Sequence, residues 1–185
     1  MVYASSPWKQ DLLRWKRSFQ KYNTVERFKN DHEATYTVLE KAIFYSAFII
    51  RKLIDCHGKL SDEADHYALK IQKVAPRKKV DELHRWLNEE THDWGNPQKV
   101  TVKGKDICNW LIHSYIFCLA FGKNEIIDGF FVTSDFDRNK TLYYISICDW
   151  MAYISFIGKD KIAAVNLYYD AKINDYIYIR KTRGS

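Results

Sequence analysis

Residues 31–56 form the segment that most constrains how this chain can fold. Apolar side chains recur along it at helical spacing, at Tyr36, Leu39, Ile43, Ala47, Ile50 and Ile54. Its central part, residues 42–50, is apolar on almost every side, and a helix of that kind has to be covered on several sides by the rest of the protein. The sequence therefore predicts a central, buried helix over residues 31–56, closed by Gly58.

Three further helices are predicted in the N-terminal two thirds of the chain. The first covers residues 7–22, with Ser6 as N-cap and a seam of apolar side chains at Trp8, Leu12, Trp15, Phe19 and Tyr22. A second buried helix is predicted over residues 106–121, beginning at Asp106, and a short helix over residues 80–87. We expect the side chains of Phe44, Phe48, Leu111 and Ile112 to lie inside the protein.

Two short strands are predicted between the helices of the N-terminal part, over residues 66–74 and 99–102. The last third of the chain changes to β-type patterning, with strands predicted over residues 130–133, 142–147, 165–169 and 176–179, and Asp149 is expected to cap a short helix over residues 150–157. The predicted fold class is α+β: a mainly helical part, residues 1–122, with two buried core helices, packed on an antiparallel sheet of about four strands within residues 129–181. Because no linker or repeat divides the chain, residues 1–185 are expected to form a single domain.

Composition agrees with a globular protein that uses no disulfide or metal. The chain has 185 residues, 46% of them hydrophobic, with 6 Trp, 13 Tyr and 10 Phe, which excludes disordered and low-complexity classes. Its four cysteines show no paired spacing, so neither a metal site nor a cofactor is expected. The N-terminus lacks an apolar signal segment, and a cytoplasmic location without membrane contact is predicted.

Basic residues are concentrated in a few places. The net charge is +6, and residues 9–29 carry much of the excess, with a second cluster after Pro76. Such clusters attract phosphate groups, although a solvated helix face gives the same pattern. The candidate nucleic-acid-binding residues are Lys9, Lys16, Arg17, Lys21, Arg77, Lys78 and Lys79.

Two short segments carry a further chemical pattern. Arg51 and His57 are separated by five residues near the end of the central helix, and Asn109 and His113 lie one turn apart on the second buried helix. Together they resemble the helical pair of HEPN-type ribonucleases, whose signature is Arg, four to six residues, then His. The resemblance implies metal-independent RNA cleavage, in which Arg and His polarise a phosphodiester and move the 2′-hydroxyl proton. The chain departs from that family by having Asn109 in place of an Arg and a sheet after the helices.

Each candidate catalytic residue also has a structural interpretation. On a straight helix, Arg51 and His57 point about 120° apart, so they converge only if the helix frays near Gly58 or across a dimer. A histidine in an apolar helix, such as His113, is commonly a hydrogen-bonded core residue.

The sequence thus leaves three hypotheses about function. The leading one is a non-catalytic cytoplasmic accessory protein that contacts nucleic acid or an acidic protein through its basic N-terminal helix. The first alternative is a metal-independent ribonuclease of toxin or defence type. The second is a structural partner in an oligomer, a homo-oligomer included, that associates through the aromatic seam of the first helix.

Overall fold

The central helix predicted from the sequence is present and organises the fold. In this computed structural model, which describes the backbone of residues 2–182 and the side chains of residues 2–177 and 179, helix α3 spans His32–Asp55. Its N-cap is Asp31, whose carboxylate accepts a hydrogen bond from the Ala34 amide at 2.9 Å, as expected for a helix start. Leu39, Ile43 and Ile50 are fully buried, so the expectation of a covered central helix is confirmed.

Helices α1 (Ser5–Tyr22) and α6 (Ile147–Lys159) pack beside α3. Trp15 of α1 lies against Tyr45 of α3 at 4.8 Å between ring centroids. The predicted aromatic seam of the first helix therefore packs against another helix of the same chain. The N-cap position of α1 is Ala4, not Ser6, and no side chain caps it. Phe48 is 44% exposed, which contradicts its predicted burial, because it lies on the outer side of the α1–α3 contact.

The main sheet has five antiparallel strands in the order β2-β1-β5-β4-β3. The strands are β1 (Ala68–Val74), β2 (Gln98–Lys103), β3 (Ser114–Phe121), β4 (Ile127–Ser134) and β5 (Leu142–Ser146). The remaining helices are α2 (Val25–Asn30), α4 (Asp62–Asp65) and α5 (Gly104–Ile112). Leu69, Phe130 and Ile145 on one face of the sheet share the large apolar core with α1, α3, α5 and α6.

The helix predicted over residues 106–121 is wrong in its second half. Helix α5 ends at Ile112, and the following residues form β3, which pairs with β4. Phe117 and Leu119 face the large core, whereas Ile116 belongs to a second apolar cluster on the other face of the sheet. A strand covered on both faces has a continuous apolar sequence, and over so few residues this pattern does not differ from that of a buried helix.

The short helix predicted over residues 80–87 is also absent, and residues 75–97 form a long loop. Val80 is buried and its amide donates to Asn139 Oδ1 at 2.7 Å, which ties the loop to the β4–β5 turn. Leu83 and Trp86 are 84% and 73% exposed, so the apolar spacing there does not mark a buried helix face. The loop covers part of the second face of the sheet.

The last two strands, β6 (Ile162–Asp170) and β7 (Asp175–Thr182), form a separate two-stranded sheet. The α+β fold class is confirmed, and the helices of the N-terminal two thirds roughly match the prediction for that part of the chain. The main sheet has five strands instead of about four, and it draws β1, β2 and β3 from the region predicted to be mainly helical. None of the described helices is both long and apolar enough to cross a lipid bilayer.

Two neighbouring residues of α5 test the position of the core. Leu111 is fully buried and Ile112 is 40% exposed. Leu111→Ala should lower the free energy of unfolding by about 2–5 kcal/mol, because it leaves a cavity, whereas Ile112→Ala should cost less than about 1 kcal/mol. Urea unfolding of the two variants measures both values, and equal losses would place the core elsewhere.

Candidate anion-binding cleft

The structure brings together two of the four candidate catalytic residues. Arg51 Nε of α3 donates a hydrogen bond to Asn109 Oδ1 of α5 at 2.7 Å, and the same guanidinium forms an ion pair with Asp55. His57 and His113 are both exposed, so the expectation that His113 is a core histidine is wrong. It occupies the junction between α5 and β3, where the chain leaves the helix.

The surroundings of Arg51 favour a structural role. Its charge is balanced by Asp55, and its bond to Asn109 joins the two helices. Cys108 is fully buried near the guanidinium, and burial raises the pKa of its thiol although the charge of Arg51 opposes this. The thiol therefore stays protonated at neutral pH and is not a nucleophile.

The basic residues predicted on the first helix have different environments. Lys9 is buried, and Lys16 is half-buried with its ammonium group bonded to Ser155 of α6. Arg17 and Lys21 are exposed. The N-terminal helix therefore presents fewer accessible positive charges than its sequence suggests.

The second predicted basic cluster is largely neutralised. Arg77 pairs with Asp93 at 2.7 Å and Lys78 with Glu90 at 2.5 Å. The hydrogen bond from Lys78 lowers the pKa of Glu90, which favours the charged form of this carboxylate. Lys79 is exposed beside these two pairs.

Lys9 belongs to a buried network that joins distant parts of the chain. Its ammonium group donates to the backbone oxygen of Asp160 at 2.8 Å and to Asp160 Oδ2 at 3.2 Å. The same carboxylate accepts hydrogen bonds from the Ser61 amide at 3.0 Å and hydroxyl at 2.6 Å. The side chain of Asp160 is 1% exposed and that of Lys9 is 10% exposed. The network fixes α1, the start of α4 and the end of α6 relative to one another.

An open cleft of about 850 Å³ lies directly over this network. It is lined by Ser5, Ser6, Lys9, Gln10, Leu13, Lys59, Gly158, Lys159, Asp160, Lys161 and Ile162. The lining thus contains four lysines and one carboxylate, and that carboxylate is already bonded to Lys9 and Ser61. Lys159 and Lys161 are exposed, and the Lys59 ammonium donates to the Tyr3 backbone oxygen at 2.9 Å. The lining of the cleft therefore carries a net positive charge.

The beginning of α1 adds polar donors to the same wall. No acidic residue lies in its first turn, and no side chain caps it. The first amide groups of a helix have no partner within the helix and carry partial positive charge. With the hydroxyl groups of Ser5 and Ser6, they supply hydrogen-bond donors beside the lysines.

A second cavity, of about 500 Å³, lies between the loop of residues 75–97 and the sheet. Its walls include the aromatic rings of Trp94 and Phe131, whose centroids are 5.4 Å apart. Its charged lining residues are Arg77, which is paired with Asp93, and Glu89. With one cation and one carboxylate in its lining, this cavity lacks the excess of positive charge that the lysine cleft has. Residues 2–182 contain no cluster of three or more His, Cys, Asp or Glu side chains that could hold a metal ion.

Sequence reasoning missed three lysines of the cleft, Lys59, Lys159 and Lys161. The run Lys159-Asp160-Lys161 directly after Gly158 was the available signal, but it gives no indication that Lys59 lies beside it. The chain matches no family model, no curated protein and no solved structure. Its function has to be inferred from its own residues.

The buried ion pair can be tested against an exposed pair on the same helix. Lys9→Met leaves the Asp160 carboxylate buried without its cation, and it should lower the free energy of unfolding by about 3–5 kcal/mol. Arg14→Met removes the exposed pair of Arg14 with Asp11 and should change stability much less. Chemical denaturation of both variants gives the comparison, and similar losses would show that the network is not a main support of the fold.

Proposed function

We propose that this protein is a non-catalytic binding protein whose lysine cleft takes the phosphate backbone of a nucleic acid. The observation that carries the proposal is the charge of the cleft: Lys59, Lys159 and Lys161 surround a concave surface whose one lining carboxylate is bonded within the protein. Lysines along a concave surface raise the local concentration of anions and release counterions when phosphates bind.

The other lining groups favour phosphate over an acidic protein surface. Ser5, Ser6 and Gln10 offer hydrogen-bond donors, which suit phosphate oxygens. Interfaces between proteins have an apolar core rich in aromatic side chains, and among the described residues only Leu13 and Ile162 are large apolar residues of the cleft lining. An acidic protein partner therefore has less support.

The residues that line the cleft also predict how the nucleic acid is recognised. None of the described aromatic side chains lines the cleft, so the described lining offers no surface on which bases would stack. Contacts to phosphate position a nucleic acid but carry no information about its sequence. Binding should therefore depend strongly on salt and little on base sequence.

The two alternatives have weaker support. The ribonuclease hypothesis has the Arg51–Asn109 contact in its favour, but Asp55 neutralises the arginine, and β3 follows the helix that carries Asn109. Association through the aromatic seam of α1 is disfavoured because Trp15 packs against Tyr45 of the same chain.

Fluorescence anisotropy with a labelled single-stranded oligonucleotide tests the proposal. If three lysines contact phosphates, affinity should fall about 20-fold between about 50 and about 200 mM salt. Replacing Lys59 and Lys159 by Glu should weaken binding at least about tenfold. The matched control replaces Arg17 and Lys21 of α1 by Glu, with the same change in net charge, and should have a clearly smaller effect.

Several results would overturn the proposal. They are absence of binding at the lowest salt, binding that salt does not weaken, and an equal or larger loss in the α1 control. Cleavage of an RNA oligonucleotide that resists EDTA and disappears in His57→Ala would contradict the non-catalytic assignment and favour the ribonuclease alternative.

A further inference from the structure

The two C-terminal strands form an arm that is poorly covered by the rest of the protein. Val165, Leu167, Tyr168, Tyr169, Tyr176 and Ile179 are between 38% and 52% exposed. Among the described residues, none from β6 or β7 belongs to either apolar cluster of the core. Apolar side chains lie on both faces of the arm, since Val165 and Leu167 alternate with Tyr168 across the strand.

The free edge of β6 is unusual for a soluble protein. A hairpin of two strands has little stability in water unless a further strand or a helix supports it. β7 lies beside α4, while β6 pairs with no described strand other than β7. Edge strands are normally protected by charged residues, proline or bulges. β6 has such features only near its ends, a register shift between Ile162 and Ala164 and the charged Asp170, and residues 164–169 between them contain no charged residue, no Pro and no Gly. This edge therefore has the composition of a strand that is paired on both sides.

We propose that the partner of β6 is the β6 strand of a second copy of this chain, paired with it antiparallel about a twofold axis at Asn166. Pairing joins the two arms into a four-stranded sheet. It supplies hydrogen-bond partners for the outer edge of both strands, and it brings the half-exposed side chains of β6 next to those of the second copy.

The charge distribution along the arm favours this arrangement. Lys159 and Lys161 lie at the base of the arm, whereas Asp170, Lys172 and Asp175 lie in or beside the turn at its tip and together carry a net negative charge. Antiparallel pairing about the middle of β6 places the tip of one arm beside the base of the other, so a net negative tip meets a positive base. Parallel pairing would place the two bases together and the two tips together. The uncharged middle of β6 can face its own copy without repulsion, as a twofold interface requires.

Sedimentation equilibrium of the full chain tests the dimer. Because only the arms meet, the interface is small, and we expect dissociation in the micromolar range. Leu167→Lys places a charge on the paired strand and should weaken association by more than about tenfold. Leu83→Lys makes the same substitution at an exposed leucine outside the arm and should leave association unchanged.

Cross-linking tests the register. In a Cys148→Ser background, which removes the exposed native cysteine, Asn166→Cys should form a disulfide between copies on oxidation, because residues that face each other across an antiparallel pair are close enough for this bond. Ile173→Cys at the tip of the arm should not cross-link to its own copy.

A single species of 22.0 kDa at every concentration up to about 0.5 mM, well above the micromolar range expected for so small an interface, would overturn the proposal and leave β6 to a strand of a different protein. A dimer that Leu167→Lys does not weaken, or cross-linking at residue 173 in place of residue 166, would also overturn it. Since Leu167 and Asn166 do not line the cleft, these results do not depend on whether the cleft binds nucleic acid.

Discussion

The buried ion pair between Lys9 and Asp160 is the constraint on which the functional part of this structure depends. A buried carboxylate is costly unless it is paired and hydrogen-bonded, and Asp160 meets that requirement with bonds from Lys9 and Ser61. These partners come from helices or turns far apart in sequence. The pair therefore fixes how α1, α4 and α6 meet, and their meeting point is the floor of the lysine cleft.

The same network separates one structural lysine from the lysines available for binding. Lys9 is buried in an ion pair with Asp160. Lys159 and Lys161 flank Asp160 in sequence and are exposed. The Asp160 carboxylate is already bonded to Lys9 and Ser61, so it does not pair with these two lysines. Their charges therefore raise the positive potential of the cleft. The network also fixes Asp160, which lies close before the start of β6 at Ile162. The floor of the cleft and the start of the arm are therefore held by the same residue.

The sequence predicts the parts of the fold that local pattern determines. Helix α3 follows from its apolar run, and β4 and β5 follow from short β-rich segments. The division between α5 and β3 was not predictable, because the half-buried Phe117 and the buried Ile116 pack on opposite faces of a sheet that is assembled from strands distant in sequence. Leu83 and Trp86 have helical spacing but face solvent, since the loop is held by the turn at Asn139.

The candidate site was less predictable than the fold. Lys9 has the sequence context of a solvated helix residue, and its partner is 151 positions away. Lys59 and Lys159 come together only because α3 and α6 end at the same side of the molecule. The clusters of positive charge in the sequence therefore pointed to α1 and to the loop at Arg77 as binding sites. In the structure, burial or ion pairs neutralise part of the charge at both places.

The central claim, that anions bind in the cleft over the Lys9–Asp160 pair, is tested most directly by following backbone amide chemical shifts while inorganic pyrophosphate is added to the ¹⁵N-labelled protein. We expect the largest shifts at Ser5, Ser6 and Lys159, with little change at Arg17 or Lys79. Shifts confined to the exposed basic residues of α1 or to the loop at residues 77–79, or no shifts at all, would contradict it.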